Sequence, residues 1–465
     1  MDKFTLVQTT IILSMVAAYI ILTSLLTYSL RSKTNAQFMT AAKTLPSAVV
    51  GVLLVSEFVG AKSTIGTTQS AFLHGAAAAW SVVGASIGFL LFGLFFVRRL
   101  YGTGQYTISG AISQKYGRST TIMVSVIMIY ALLLVNIGNY ISGAAALQAV
   151  MKVNLPEAMV LIALVSTFYY VFGGMKGVAY VTILHTGIKI IGITILLVVA
   201  LRAAGGLKPM TSSLPHFYFT LTGKIGVSTI IAWIMGTTGA IFSTQFITQA
   251  ISSGRSANEA RRSCFYAAAL CFPIGIALAL IGVAAKFLHP DIKSLYALPV
   301  FFGSMNTFTA GIVTISIVAS VFISVSTVAL GIVSLVMRDF ITPWLKPDAK
   351  KELHLTRIVA LIIAVIPLFF VYFVPQILHL SFFTRALRLS ISIVALIGFY
   401  LPLFRSTRGA TLGLLVAAVA TSVWYGLGDP YGINNMYIAA VSPILIMAIE
   451  RGISLFQPAT VVAKE

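Results

Sequence analysis

Charge is what this chain has least of. Its 465 residues are 9% charged and 58% hydrophobic, with a mean hydropathy of +0.98. A soluble globular chain carries about 25% charged residues, so a soluble core is excluded and a polytopic membrane protein is left. Acid is scarcest, with 11 Asp and Glu against 31 Lys and Arg and a formal net charge of +20. That balance would suit nucleic acid, but the basic residues stand in short loops between apolar stretches, as the positive-inside rule expects. The bilayer is therefore the expected partner, and nucleic acid is not. Cysteine is nearly missing: Cys264 and Cys271 are the only two, and they lie in one apolar stretch. They sit two helical turns apart, too far for an intrahelical bridge, and imply no disulfide framework. Metal-ligand spacing, a phosphate-binding glycine loop and a nucleophile with its base are also missing. An enzyme is not expected, nor is a cofactor. The N-terminal apolar run, 5–28, is too long for a signal-peptide core and is expected to span the membrane.

Long apolar stretches are what is there. Thirteen come near the ~20 residues that a bilayer crossing needs: 5–29, 47–74, 77–101, 120–151, 156–173, 177–203, 226–251, 263–288, 307–337, 356–374, 377–403, 409–427 and 433–454. The fold class is all-α. Lys and Arg gather in alternate loops, for example Arg98, Arg99, Lys115 and Arg118 in the third and Arg255, Arg261 and Arg262 in the seventh. This places the odd-numbered loops and the C-terminus in the cytoplasm and the N-terminus outside.

The second span is wrong for a plain membrane helix. Its middle reads Ser56-Glu57-Phe58-Val59-Gly60-Ala61-Lys62-Ser63-Thr64. A full charge at bilayer depth costs about 2.5–3.5 kcal/mol even on lenient scales. A helix broken at Glu57–Ser63 would free backbone groups, which is tolerated only beside a protein cavity. The seventh span carries a similar interruption, Trp233-Ile234-Met235-Gly236-Thr237-Thr238-Gly239-Ala240. Unwinding near Gly236–Gly239 is one reading; close helix packing on the glycines is the other. Spans two and seven would each lead five spans, the two sets oppositely oriented, as in an inverted-repeat secondary transporter. The expected units are an extra helix in 1–30, repeats in 46–203 and 225–403, and two further spans in 408–455.

Several segments carry a family resemblance. They are Ala36-Gln37-Phe38-Met39-Thr40-Ala41, Ser56 to Gly60, and the glycine pair in Gly173-Gly174-Met175-Lys176-Gly177. Gln245 to Gln249, Ser256 to Arg262, Ala297-Leu298-Pro299 and Met337-Arg338-Asp339 follow in order. Over roughly residues 36–410 the chain resembles the sodium/solute symporter family. The resemblance implies a leucine-transporter-like core in spans two to eleven, and sodium-driven uptake of a sugar, amino acid, carboxylate or vitamin. It also implies a sodium site: backbone carbonyls near Val50 and Leu53, a carbonyl at Ser320, and two adjacent hydroxyls of the ninth span. In a gapless match those hydroxyls fall on Ile323 and Ser324, and Ile323 has no oxygen. A nearby family Asp is matched by Thr182. Sodium, a hard cation, needs oxygen ligands, so sodium coupling is placed in doubt.

Individual side chains can be weighed on depth. Glu57, the only acid placed at membrane depth, is expected to serve substrate or proton, and Lys62 to meet the solute beside it, with a structural pair between the two as the alternative. Lys189 lies about 18 Å into the sixth span. It shares a helical face with Thr182 and His185, and its amine could stand where sodium would; snorkelling is the alternative. His185 alone reads as a hydrogen-bonded packing residue. Arg385 and Arg388 are expected to snorkel outward, with attraction of an anionic solute as the alternative; together with Lys62 they lean toward an anion, against which Glu57 argues. Asn136, Asn139 and Tyr140 could line a cavity or join helices. Trp233, Thr237, Thr238 and Thr244 are similar to positions that hold substrate in the family. The function expected is secondary-active import of a small polar or carboxylated solute across the cytoplasmic membrane, coupled to sodium or protons. The alternative is a transporter-like solute sensor. Sensors of that kind carry an appended soluble domain, whereas about a dozen residues follow the last expected span. Oligomeric state is not indicated.

Overall fold

A computed structural model describes residues 5–151, 153–370 and 377–456. The first four residues of the expected N-terminal unit and the last four of the expected span 356–374 lie outside these. The described residues are helical, and no named strand occurs among them. We label the long helices α1 (Leu6–Ser29), α2 (Ser47–Phe58), α3 (Ala61–His74), α4 (Ala76–Gly102), α5 (Arg118–Met151), α6 (Leu155–Ala203) and α7 (Val227–Ser243). They continue as α8 (Gln245–Ser252), α9 (Ala257–Leu288), α10 (Thr307–Leu335), α11 (Ala349–Phe370), α12 (Ile377–Tyr400), α13 (Thr407–Gly426) and α14 (Asn435–Phe456). Among the described residues, ten helices are long and apolar enough to cross a membrane, or up to 12 when each bent pair counts as one span. The bent pairs are α2 with α3, at 51°, and α7 with α8, at 49°.

One of the ten is too long for one crossing. The 49 residues of α6 would run about 74 Å at 1.5 Å per residue, against a hydrocarbon core of about 30 Å. Gly174 interrupts it with φ +54° and ψ −155°. Only glycine adopts that backbone freely, and a Cβ there would lie 2.7 Å from Phe38 Cα. The first loop stitches the interruption: Ser32 N–H donates to Phe172 O (3.0 Å) and Ser32 Oγ to Gly173 O (2.6 Å).

The second span breaks where its polar residues stand. Pro46, with φ −73°, leads into α2, and the helix ends at Val59 (φ −102°, ψ 66°). Gly60 is extended and α3 begins after it. A side chain on Gly60 would collide with Ser324 Oγ of α10, so a missing Cβ lets the break touch its neighbour.

The seventh span breaks elsewhere than at Gly236–Gly239, which lie inside α7. The interruption is at Thr244, with ψ 128°. The two glycines serve packing instead. A Cβ on Gly236 would run into the Met436 thioether, and one on Gly239 would lie 2.9 Å from Leu389 Cα.

The two broken spans run in opposite directions. Leu45, before α2, bonds to the end of α8: its N–H donates to Ser253 O (3.1 Å), and Arg255 N–H donates to Leu45 O (3.3 Å). At the opposite end, Lys224 N–H, just before α7, donates to His74 O at the end of α3 (3.1 Å). Among the other helices α10 is central. The apolar window of the helix it belongs to is 94% buried, against 17% for α1 and 22% for the last helix. The periphery presents Leu22, Leu25, Val419 and Ile449 outward, as a lipid-facing surface does.

A matched pair of substitutions tests the packing role of the span-seven glycines. Gly239→Ala is expected to cost about 1–3 kcal/mol through overpacking, lowering the melting temperature in detergent. Gly187→Ala, at a position with no atom within 4 Å of the added Cβ, is expected to cause no loss. Equal melting temperatures for the two variants would remove the packing explanation.

Candidate functional site

Both sides of the first break carry a charge at the end of the half-helix that disfavours it. Glu57 stands next to the C-terminus of α2, the negative end of its dipole, and Lys62 in the first turn of α3, the positive end. Neither placement stabilises its helix. Both side chains line a cavity with about 770 Å³ of unfilled space, its open mouth included. Thr327 Oγ1 of α10 donates to Glu57 Oε2 (3.0 Å). Among the described residues Glu57 and Lys62 form no ion pair within 4 Å, so the structural-pair alternative does not hold.

Arg385 and Arg388 of α12 line the same cavity and are 8% and 5% exposed. They point into the bundle, contrary to the outward snorkelling expected of them. The reason is a pair of seats on the seventh span. Arg385 Nη1 donates to Thr237 Oγ1 and Arg388 Nη1 to Thr244 Oγ1, both at 2.8 Å. Arg388 Nε also donates to Thr384 O (3.1 Å). Buried guanidinium groups need such partners. Trp233 stacks on Phe382 at a ring-centroid distance of 4.8 Å, and the Arg385 Cζ lies 5.1 Å from the Phe382 centroid.

Of the residues assigned to the solute, the structure brings Glu57, Lys62 and Trp233 to the cavity wall. Thr237 and Thr244 stand behind it, holding the arginines. Asn136 is fully buried and off the wall, and its amide has no partner among the described residues. Asn139, one turn later on α5, takes the wall position and donates from Nδ2 to Ser324 O (3.3 Å).

The residues assigned to ion coupling divide similarly. Val50 and Leu53 are buried inside unbroken α2, where helix bonds occupy the backbone carbonyls. The carbonyl of Val59 is among those freed at the break. Lys189, 1% exposed, reaches it: Lys189 Nζ donates to Val59 O. Lys189, Thr64, Ser316 and Ser320 also line a second, smaller cavity. Ser320 Oγ donates to Ser316 O (2.8 Å) and Ser324 Oγ to Ser320 O (2.7 Å), so both hydroxyls bond within α10. Ile323 is buried among apolar side chains. Thr182 bonds back to Val178 O (2.6 Å) and lines neither cavity. His185 Nδ1 meets Tyr19 OH at 2.7 Å, while its buried Nε2 has no partner among the described residues.

Some wall residues escape a reading by charge. Ser63, Gly66, Thr67 and Ser70 of α3 line the cavity; their spacing marks one helical face and could have identified them. Phe382 stands one turn before Arg385 and had a similar signal. Thr327, which is off the wall but holds Glu57, had none, because it lies in a run of hydroxyl residues along α10.

The comparisons with known proteins agree with this architecture. The profile described as the sodium:solute symporter family matches residues 38–417. The sodium/glucose cotransporter of Vibrio parahaemolyticus is 23% identical over 277 residues, covering 56% of this chain and 51% of that one. The high affinity choline transporter 1 of Homo sapiens is 24% identical over 241 residues, covering 50% of this chain and 41% of that one. The chain thus spans about half the length of these curated relatives, or less. A solved Na+-coupled sialic acid symporter, substrate-bound and outward-open, superposes with a TM-score of 0.81 at 17% identity, covering 96% of this chain and 98% of that one. That likeness carries the fold. The profile match extends over most of the residues, from before the first broken helix to α13, and the chain belongs to the sodium:solute symporter family.

Proposed function

We propose that this chain is a secondary-active symporter importing a small polar or carboxylated organic solute across the cytoplasmic membrane by alternating access. The observation that carries the reading is a charged cavity at the break of α2 and α3, walled also by Trp233 of the oppositely directed broken span. Crossed half-helices around a midplane site are the architecture of such transporters. With α6 divided at Gly174, the chain makes thirteen crossings. Repeats over 46–203 and 225–403, an extra N-terminal helix in 1–30 and two further spans in 408–455 complete the reading. The basic loops support an outside N-terminus and a cytoplasmic C-terminus. The named relatives are cotransporters and transporters, which favours transport over catalysis and lends the sensor alternative no support. In this reading Glu57 and Lys62 meet the solute, Trp233 forms a wall, and Thr237 and Thr244 act through the arginines.

Sodium is the coupling ion that the family supplies. One observation favours a second reading, in which the Lys189 ammonium stands in for sodium and coupling is to protons. The amine already holds the Val59 carbonyl freed by the break, and Ile323 contributes no oxygen to the adjacent helix. A lysine amine can bind and release a proton where an ion would otherwise come and go.

Two measurements in liposomes test these assignments. Glu57→Gln keeps an acceptor for Thr327 and is expected to fold normally while losing solute uptake; normal uptake would make Glu57 structural. Wild-type uptake with sodium replaced by choline is expected to persist and to rise with an inward proton gradient if Lys189 replaces sodium, with Lys189→Ala inactive. Strict sodium dependence together with an active Lys189→Ala would leave sodium as the coupling ion.

A further inference from the structure

The cavity presents three cationic side chains, Lys62, Arg385 and Arg388, to one carboxylate, Glu57. Its formal charge is therefore +2. Among the described residues none of the three cations has a carboxylate within 4 Å. Cations this deep in a bilayer are costly unless something pairs them. Their bonds inside the protein are also incomplete. Each arginine spends one terminal nitrogen on a threonine of the seventh span, and Arg388 spends Nε on Thr384 O. Nη2 of both arginines and Nζ of Lys62 have no protein partner among the described residues. These open donors come from two elements: the arginines are one helical turn apart on α12, and Lys62 is in the first turn of α3. The positive dipole end of α3 adds to the same field. Against them stands a single carboxylate on the wall, Glu57, whose Oε2 takes Thr327 and whose Oε1 has no partner among the described residues.

The geometry points to a small organic dicarboxylate as the solute of this cavity. One carboxylate is held by Arg385 and Arg388, whose planar donors match it, and the other by Lys62. Two negative charges bring the formal charge of the filled cavity to zero. Val135 and Val328, also on the wall, face the carbon skeleton between the acid groups, and Glu57 Oε1 accepts from a hydroxyl or ammonium where the solute has one. Glucose, choline and sialic acid, in the names of the relatives and of the similar structure, differ in charge from one another, so kinship alone selects no class. This inference rests on the transport reading of the same cavity.

The test is thermal unfolding of the purified full chain in detergent. The probes are succinate, glutarate and adipate, each with its monomethyl and dimethyl ester, so that charge steps from −2 to 0 on one skeleton. At least one diacid is expected to raise the melting temperature saturably. Losing one charged hydrogen-bond partner costs about 1.5–3 kcal/mol, so its monoester is expected to bind about tenfold weaker or more, and its diester to give no shift. Arg385→Gln and Arg388→Gln are each expected to weaken the diacid about tenfold or more, with Arg388→Lys retaining part of the affinity. The unliganded melting temperature reports whether each variant folds, and Lys62→Gln supplies the same comparison from another helix. The inference is overturned if no diacid shifts the melting temperature, if a diester shifts it as much as its diacid, or if the folded variants bind the diacid unchanged. Uptake of the binding diacid into liposomes separates the two proposals. Binding without uptake under either a sodium or a proton gradient supports the dicarboxylate site and removes the transport reading. Uptake of glucose or choline, with no response to any diacid, removes the dicarboxylate site and leaves transport standing.

Discussion

A backbone carbonyl inside a bilayer has to find a hydrogen-bond donor, and much of this structure follows from how the break after Phe58 meets that demand. The Val59 carbonyl takes the Lys189 ammonium from α6. The Gly60 carbonyl takes Thr64 N–H (3.0 Å) and the hydroxyls of Ser63 (3.0 Å) and Thr64 (2.9 Å). The chain can turn there without exposing polar backbone to lipid. It does so in contact with α10, because Gly60 carries no side chain that would strike Ser324. The heavy burial of α10 is a consequence, since it backs the break on one side and the long α6 on the other.

The second broken span solves a different problem. Its interruption at Thr244 lies two turns beyond Thr237, and the two hydroxyls hold guanidinium groups that would otherwise be stranded in a buried wall. The arginines in turn define the wall, with Trp233 and Phe382 stacked beside them. Removing the threonines would unseat the cations, whereas Glu57 and Lys62 stand on the cavity wall itself.

The second half of this span, α8, is tied down throughout. All eight residues of α8 are buried. Gln245 Nε2 donates to Tyr106 O (3.1 Å) and Ser334 Oγ (2.8 Å), and Gln249 Nε2 donates to Met39 O (2.7 Å).

Much of the fold was legible in the linear sequence because a bilayer imposes local rules. Span length and hydropathy identified an all-helical membrane chain. The charges at Glu57 and Lys62 located the first break, since uncompensated charge and poor helix formers coincide there. The glycine pair marked the interruption of α6, where only Gly174 fits the backbone. What depended on neighbours was not legible. Gly236 and Gly239 give one sequence signal for unwinding and for close packing, and only Met436 and Leu389 decided for packing. Arg385 and Arg388 look alike whether they snorkel or face inward, and the threonine seats on another helix turned them in. Asn139 rather than Asn136 reached the wall, and the Val59 carbonyl rather than those of Val50 and Leu53 was freed. Each of these outcomes is set by helix rotation and by where a hydrogen-bond ladder stops, which packing in three dimensions determines and residue order alone does not.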